Sequence, residues 1–220
     1  MKLLAINGSP RGKASNTKRL LDYFTKDMHH SSVNIVHLKE FYDKEDFPSL
    51  LEQIAAYEYI LIGFPLYADW TPGFVKEFFE FMGENHPSFK NKNLLFLIQC
   101  GFPESHHCRY VEQYCQRFTQ RLGSRYVGTI VRGGSEGARL IPKKFFKDAE
   151  RLSELGALFE TEKHLDERLL KTISRPEKLT GFSLLRMKLM LKSPFANLYW
   201  NSQLKKNGVY KNRFDKPYQQ

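Results

Sequence analysis

The segment Lys2-Leu3-Leu4-Ala5-Ile6-Asn7-Gly8-Ser9-Pro10-Arg11-Gly12-Lys13-Ala14-Ser15-Asn16-Thr17 opens on a short apolar run and breaks it at Asn-Gly-Ser-Pro. It then leads into Leu20, Leu21, Phe24 and Met28 at helical spacing. An apolar run, turn residues and a 3.6-residue period, in that order, predict strand, loop and helix. The unit repeats along the chain. Val33 to Leu38 reads as a second strand and Ser49 to Tyr57 as a helix. Tyr59 to Phe64 reads as a third strand, apolar on both faces, as in a parallel sheet covered by helices. An eight-residue loop runs to Pro72, at the start of a helix carrying Phe74, Val75, Phe78, Phe79 and Met82. Leu94 to Ile98 is the fourth strand, and Val111, Cys115, Phe118 and Leu122 line the next helix. Tyr126 to Val131 is the fifth strand, and Phe145, Ala149, Leu152 and Phe159 mark a last helix. Five strands alternating with helices indicate a doubly wound α/β sheet, whose ligands bind at the carboxyl ends of the strands.

The loop from Asn7 to Thr17 is rich in glycine and hydroxyl residues and feeds a helix N-terminus, where unpaired N–H groups favour an anion. Ser9, Arg11, Ser15, Asn16 and Thr17 are the candidates to surround a phosphate. A P-loop is excluded because Gly12-Lys13 is followed by Ala14, and a G-x-G-x-x-G dinucleotide fingerprint is absent.

The string Gly8-Ser-Pro-Arg-Gly-Lys-Ala-Ser-Asn-Thr17 resembles the phosphate loop of the flavodoxin-like NAD(P)H-dependent FMN reductases, with Ser15 where that family commonly has glycine. Pro65-Leu66-Tyr67-Ala68-Asp69-Trp70-Thr71-Pro72, followed by Lys76 and Phe79, resembles the family's second motif, which lies along the flavin ring. The resemblance covers roughly the first 170 residues. It implies a flavodoxin-like doubly wound five-stranded parallel sheet, FMN as cofactor and NADPH or NADH as hydride donor. It also implies a homodimer that reduces a small-molecule acceptor such as a quinone, nitroaromatic or flavin. Pro65, Leu66, Tyr67, Ala68, Asp69 and Trp70 would wall the ring, with Gly101 and Phe102 of the loop after the fourth strand as a further wall. Donors are expected near the flavin's N1 and O2, for which His106 and His107 are candidates, although the favoured reading of both is a surface or helix-start histidine. The competing expectations are a flavodoxin-type electron carrier and a binding module whose basic tail engages nucleic acid or anionic membrane.

The chain has 220 residues and a formal net charge of +10. From Met1 to Thr172 there are 24 basic and 22 acidic residues, against 10 and 2 from Ile173 onward, so the excess belongs to the tail. We therefore divide the chain into a domain over 1–172 and a basic, aromatic, partly helical extension over 173–220. In Phe182 to Lys192 the apolar positions spread around most of a helix, which argues against an amphipathic membrane-surface helix. Neither nucleic acid nor membrane is the expected partner, and a helix packed on this or a partner subunit is.

Three cysteines with no C-x-x-C pair, an opening apolar run too short for a signal peptide and no long apolar stretch place the expected protein in the cytoplasm. Cys115 and Arg121 have the spacing of a phosphatase loop, but their spacer lacks glycine and keeps helical register. Cys100, His106, His107, Cys108 and Cys115 match no standard zinc spacing, so no metal is expected.

Overall fold

The computed structural model describes residues 1–136, 148–193, 197–216 and 218. The chain divides into two compact units, Met1–Lys178 and Leu179–Gln220.

The first unit is built on strands β1 (Lys2–Asn7), β2 (Ser32–His37), β3 (Tyr59–Pro65), β4 (Asn93–Gln99) and β5 (Arg125–Arg132). They form one parallel sheet in the order β2-β1-β3-β4-β5. This is the flavodoxin-like order, and the chain changes direction across the sheet between β1 and β3. The helices are α1 (Asn16–Thr25), α2 (Leu38–Tyr42), α3 (Phe47–Ala55), α4 (Gly73–Glu84), α5 (Arg109–Arg121), α6 (Asp148–Glu162) and α7 (Glu167–Ile173).

Side chains alternate across the sheet and build a core on each face. Leu4, Ile6, Ile60, Ile62, Phe64, Leu94, Phe96 and Ile98 pack against α3, α4 and α5. Leu3, Ala5, Tyr59, Leu61, Leu95 and Leu97 pack against α1 and α6. The three central strands β1, β3 and β4 are almost wholly buried, which is why their sequences read as continuous apolar runs.

Several expectations shift. Leu38 ends no strand. It is buried at the start of α2, a helix too short to leave a periodic signature. α3 begins two residues before Ser49, because the Asp46 carboxylate accepts from Ser49 N at 3.2 Å and caps it. Pro72 is the residue before α4 rather than its first turn. His29 and His30 lie beyond the end of α1, where His30 N donates to Glu160 Oε1 of α6 at 2.9 Å. Phe145 lies outside the described residues.

The first unit also runs past Thr172. Ile173 is buried in the core, and Ser105 N and His106 N donate to the carbonyls of Pro176 and Glu177 at 3.0 and 3.2 Å. Arg109 closes this strap with a bidentate pair to Glu177 at 2.9 and 2.8 Å.

The second unit comprises α8 (Gly181–Lys192), α9 (Leu198–Lys206) and a single helical turn at Tyr210–Asn212. A reciprocal Thr180/Ser183 cap starts α8. None of its described residues is buried.

Candidate functional site

The loops after β1, β3, β4 and β5 converge beyond the carboxyl ends of the strands. Their anchor is Asn7, the last residue of β1, which is fully buried. Its Nδ2 lies 2.9 Å from Gly12 O and 2.9 Å from His37 Nδ1, and Ser9 N donates to its Oδ1 at 3.2 Å. Ser15 Oγ lies 3.3 Å from Asn7 Nδ2. An amide nitrogen only donates, so His37 Nδ1 accepts and the proton of the neutral ring sits on Nε2. Burial holds the His37 pKa below its ordinary value. Gly8 N donates to Gly63 O at 2.7 Å across the β1/β3 switch point. A Cβ on Gly8 would lie 2.8 Å from Val75 Cγ2, so glycine is required by this close approach.

Ser15 caps α1, its Oγ accepting from Lys18 N at 3.0 Å. The Asn16 amide donates to Ser135 O at 2.6 Å, and Thr17 Oγ1 accepts from Gln99 Nε2 at 3.4 Å. These three side chains therefore hold the loop to its neighbours. The anion-binding capacity is left to backbone N–H groups of the first helical turn and to Ser9 and Arg11. Arg11 stands 3.8 Å from Glu136, both partly exposed.

The loop after β3 is held by Leu66 N donating to Gln99 O at 2.8 Å. Tyr67 and Trp70 then exchange backbone hydrogen bonds at 2.8 and 3.1 Å around a tight turn, with Ala68 and Asp69 at φ 49° and 59°. The two left-handed residues in succession make the turn of a minimal hairpin. Tyr67 is 45% exposed. Trp70 packs edge-on against Tyr114 of α5 at 5.1 Å. The loop after β5 zips onto the loop after β4 through Ser135 N to Cys100 O at 2.9 Å and Gly134 N to Phe102 O at 2.5 Å.

These loops enclose an open cleft with ≈ 340 Å³ of empty space, lined by Ser9, Arg11, Asn16, Pro65, Leu66, Tyr67, Gln99, Gly101 and Glu136. Ser9, Arg11, Asn16, Pro65, Leu66, Tyr67 and Gly101 are thus brought together as the sequence suggested. Ser15 and Thr17 support the cleft from behind. Ala68, Asp69, Trp70 and Phe102 lie outside the lining. Asp69 sits 3.2 Å from His107, and Phe102 stacks on the His107 ring at 4.5 Å. His106 Nδ1 lies 3.2 Å from Glu177 O, so its ring meets the strap. Sequence reading gave no role to Asn7 or His37, and only the position of Asn7 at a strand end hinted at it. Gln99 and Glu136 belong to two loops that the sequence also offers as borders of the ring, Gln99–Glu104 after β4 and Gly133–Gly137 after β5, and Gly137 lies outside the described residues.

The cysteines do not form a nucleophile loop. Cys115 is in the middle of α5 and its burial pushes the thiol pKa up. Cys100 Sγ lies 3.5 Å from Phe102 O and 3.7 Å from Glu104 O. The neighbouring Cys108 thiol lowers the Cys100 pKa, and that contact and burial push Cys108 up. Glu104, His106 and His107 could bring ligand atoms within 4.8 Å of one another, though His107 already faces Asp69.

Residues 1–136 match the family model of NADPH-dependent FMN reductase. The chain belongs to that family. This reductase is accordingly an enzyme of a family that works with FMN and NAD(P)H. Among curated proteins, none matches it. Among solved structures it is similar to general stress protein 14 of Treponema denticola in complex with FMN, at 14% identity and a TM-score of 0.57, covering 74% of this chain and 99% of that one. It is also similar to the Trp repressor binding protein of Bacillus subtilis, at 18% identity and a TM-score of 0.54, covering 68% and 96%. A third is an NADH:FMN oxidoreductase in its apo form, at 16% identity and a TM-score of 0.55, covering 80% and 96%. At these identities the likeness carries the fold, and the family model carries the membership.

Proposed function

We propose that the cleft holds FMN and that the reductase passes a hydride from NADPH or NADH to a small acceptor, a quinone, nitroaromatic compound or free flavin. The observation that carries this reading is the meeting, in one cleft, of an anion-suited loop at the start of α1 with the amphipathic wall Pro65-Leu66-Tyr67. FMN has those two halves, a phosphate and a flat amphipathic ring, and its bound isoalloxazine supplies the hydride chemistry. In this reading Arg11 leaves Glu136 for the phosphate, with Ser9 and the first-turn N–H groups of α1 as further donors. Pro65, Leu66 and Tyr67 carry the ring, and Gly101 lets the backbone of the β4 loop approach it. Ser15, Asn16 and Thr17 fix the loop. No acid or base is required of the protein, because hydride transfer depends on stacking at reacting distance. Ala68, Asp69, Trp70 and Phe102 border the ring's open side, where a second subunit of a cytoplasmic homodimer would complete the wall.

Purified protein reconstituted with FMN should bleach on anaerobic addition of NADPH or NADH and recolour on addition of a quinone. Arg11→Ala should weaken FMN binding about tenfold or more, the worth of one charge-assisted contact. A flavin that stays oxidised under excess of both nucleotides would point to an electron carrier instead, and unchanged FMN affinity in Arg11→Ala would remove the phosphate assignment.

A further inference from the structure

The second unit presents exposed apolar side chains. On α8, Phe182, Leu185, Leu189, Met190 and Leu191 are each more than half exposed, and beyond it so are Leu198, Trp200 and Phe214. A few scattered exposed apolar residues are ordinary, but this number within 42 residues points to a partner for the unit. The question is what occupies it.

Two observations choose among occupants. The first is charge. The second unit carries Arg186, Lys188, Lys192, Lys205, Lys206, Lys211, Arg213 and Lys216 against Asp215 alone. The first unit has 26 basic and 23 acidic residues, so it too is positive overall. A second copy of this chain therefore offers no net opposite charge, whereas an anionic surface does. The second is direction. The five exposed apolar residues of α8 are distributed around the helix, at about 100° per residue. One protein face covers one side of a helix. An acyl layer surrounds it, and Arg186, Lys188 and Lys192 can reach the headgroups along their flexible stems. Leucine and methionine in this number also have no role on nucleic acid, where bases are met by aromatic stacking and charge.

We propose that the second unit docks the reductase on an anionic lipid surface, with α8 and the side chains of Leu198, Trp200 and Phe214 in the headgroup and upper acyl region and the basic residues against lipid phosphates. No described helix is long and apolar enough to cross a membrane, so the attachment is peripheral. The distribution of apolar residues around the helix, which argued against a surface helix when read as sequence, becomes the reason for deeper seating once those residues are seen to be exposed. The inference does not depend on the flavin reading.

The test uses the full chain and vesicle co-sedimentation. Vesicles of phosphatidylcholine mixed with phosphatidylglycerol should retain the protein and pure phosphatidylcholine should retain far less, with binding weakened as salt is raised. Lys205→Gln, Lys206→Gln, Lys211→Gln and Arg213→Gln combined should weaken binding on the order of a hundredfold. Leu185→Gln with Leu189→Gln should weaken it at least about tenfold. Glutamine keeps helix propensity, and circular dichroism checks that both variants fold. Absence of sedimentation with anionic vesicles would overturn the proposal. So would binding that neither variant reduces. Conversion of a dimer to a monomer by Leu185→Gln and Leu189→Gln, without vesicle binding in the parent, would assign the surface to a second copy. Retention by single-stranded DNA but not by vesicles would assign it to nucleic acid.

Discussion

Asn7 positions the β1 loop through one buried amide. Asn7→Ala leaves Ser9 N and His37 Nδ1 without their partner and takes one of two donors from Gly12 O, and should lower the unfolding free energy in urea by about 2–3 kcal/mol. The His37 contact is pH-dependent with a definite sign. Its pKa is lowered by burial from 6.5, and the neutral Nδ1 is the acceptor. The stabilisation is complete above that ordinary value and declines as pH falls through it toward the lowered folded value. Between about pH 7 and pH 5 the wild type should lose more stability in urea titrations than His37→Asn does. Glu136 offers the opposite kind of test. It is a carboxylate lining a cleft proposed to hold a phosphate, and Glu136→Gln should tighten FMN binding about threefold or more, measured by flavin fluorescence quenching. Asn7 was readable as a strand-ending turn residue, but its partner His37 is thirty positions away and follows a different strand. Local pattern has no access to such a pair. The same limit hid the commitment of Asn16 to Ser135 and of Thr17 to Gln99.

At the scale of elements, the β-strands and long helices were legible because burial on one or two faces imposes a period on sequence. α2 was not, since five residues are too few to establish one. The packing of α1 on α6 was also invisible, and it rests on Gly156. A Cβ at that position would collide with the Phe24 carbonyl of α1, backbone that cannot rotate away. Gly156→Ala should therefore destabilise the first unit by at least about 2 kcal/mol in spite of alanine's better helix propensity, with the loss read from chemical denaturation. The converse change one position on, Ala157→Gly, falls at a half-buried site of the same helix and should cost only about 1 kcal/mol.

For the whole molecule, composition located the charge excess in the tail, and the compact first unit extends to Lys178. The segment after Thr172 is basic like the tail, yet Ile173 is core and the Pro176 and Glu177 carbonyls accept from the β4 loop. Both hydrophobic cores lie within the first unit. A chain ending at Lys178 should keep the thermal midpoint of the full protein to within about 2 °C. One ending at Thr172 should fall by about 5 °C or more, a difference that differential scanning fluorimetry resolves.

The contact between α1 and α6 joins an early helix to a late one, and it bears on the order of events during synthesis. β1 pairs with β2 and β3, and α1, whose first turn borders the cleft, is covered by Phe159 and Leu155. Until the ribosome has released α6, that face of α1 is bare, although the loop ahead of it already has its partners His37, Gly63, Gln99 and Ser135. The helix that borders the proposed cofactor cleft is therefore covered late, and a nascent chain stalled before Leu155 should bind flavin more weakly than the released protein even though both of its recognisable motifs have already emerged.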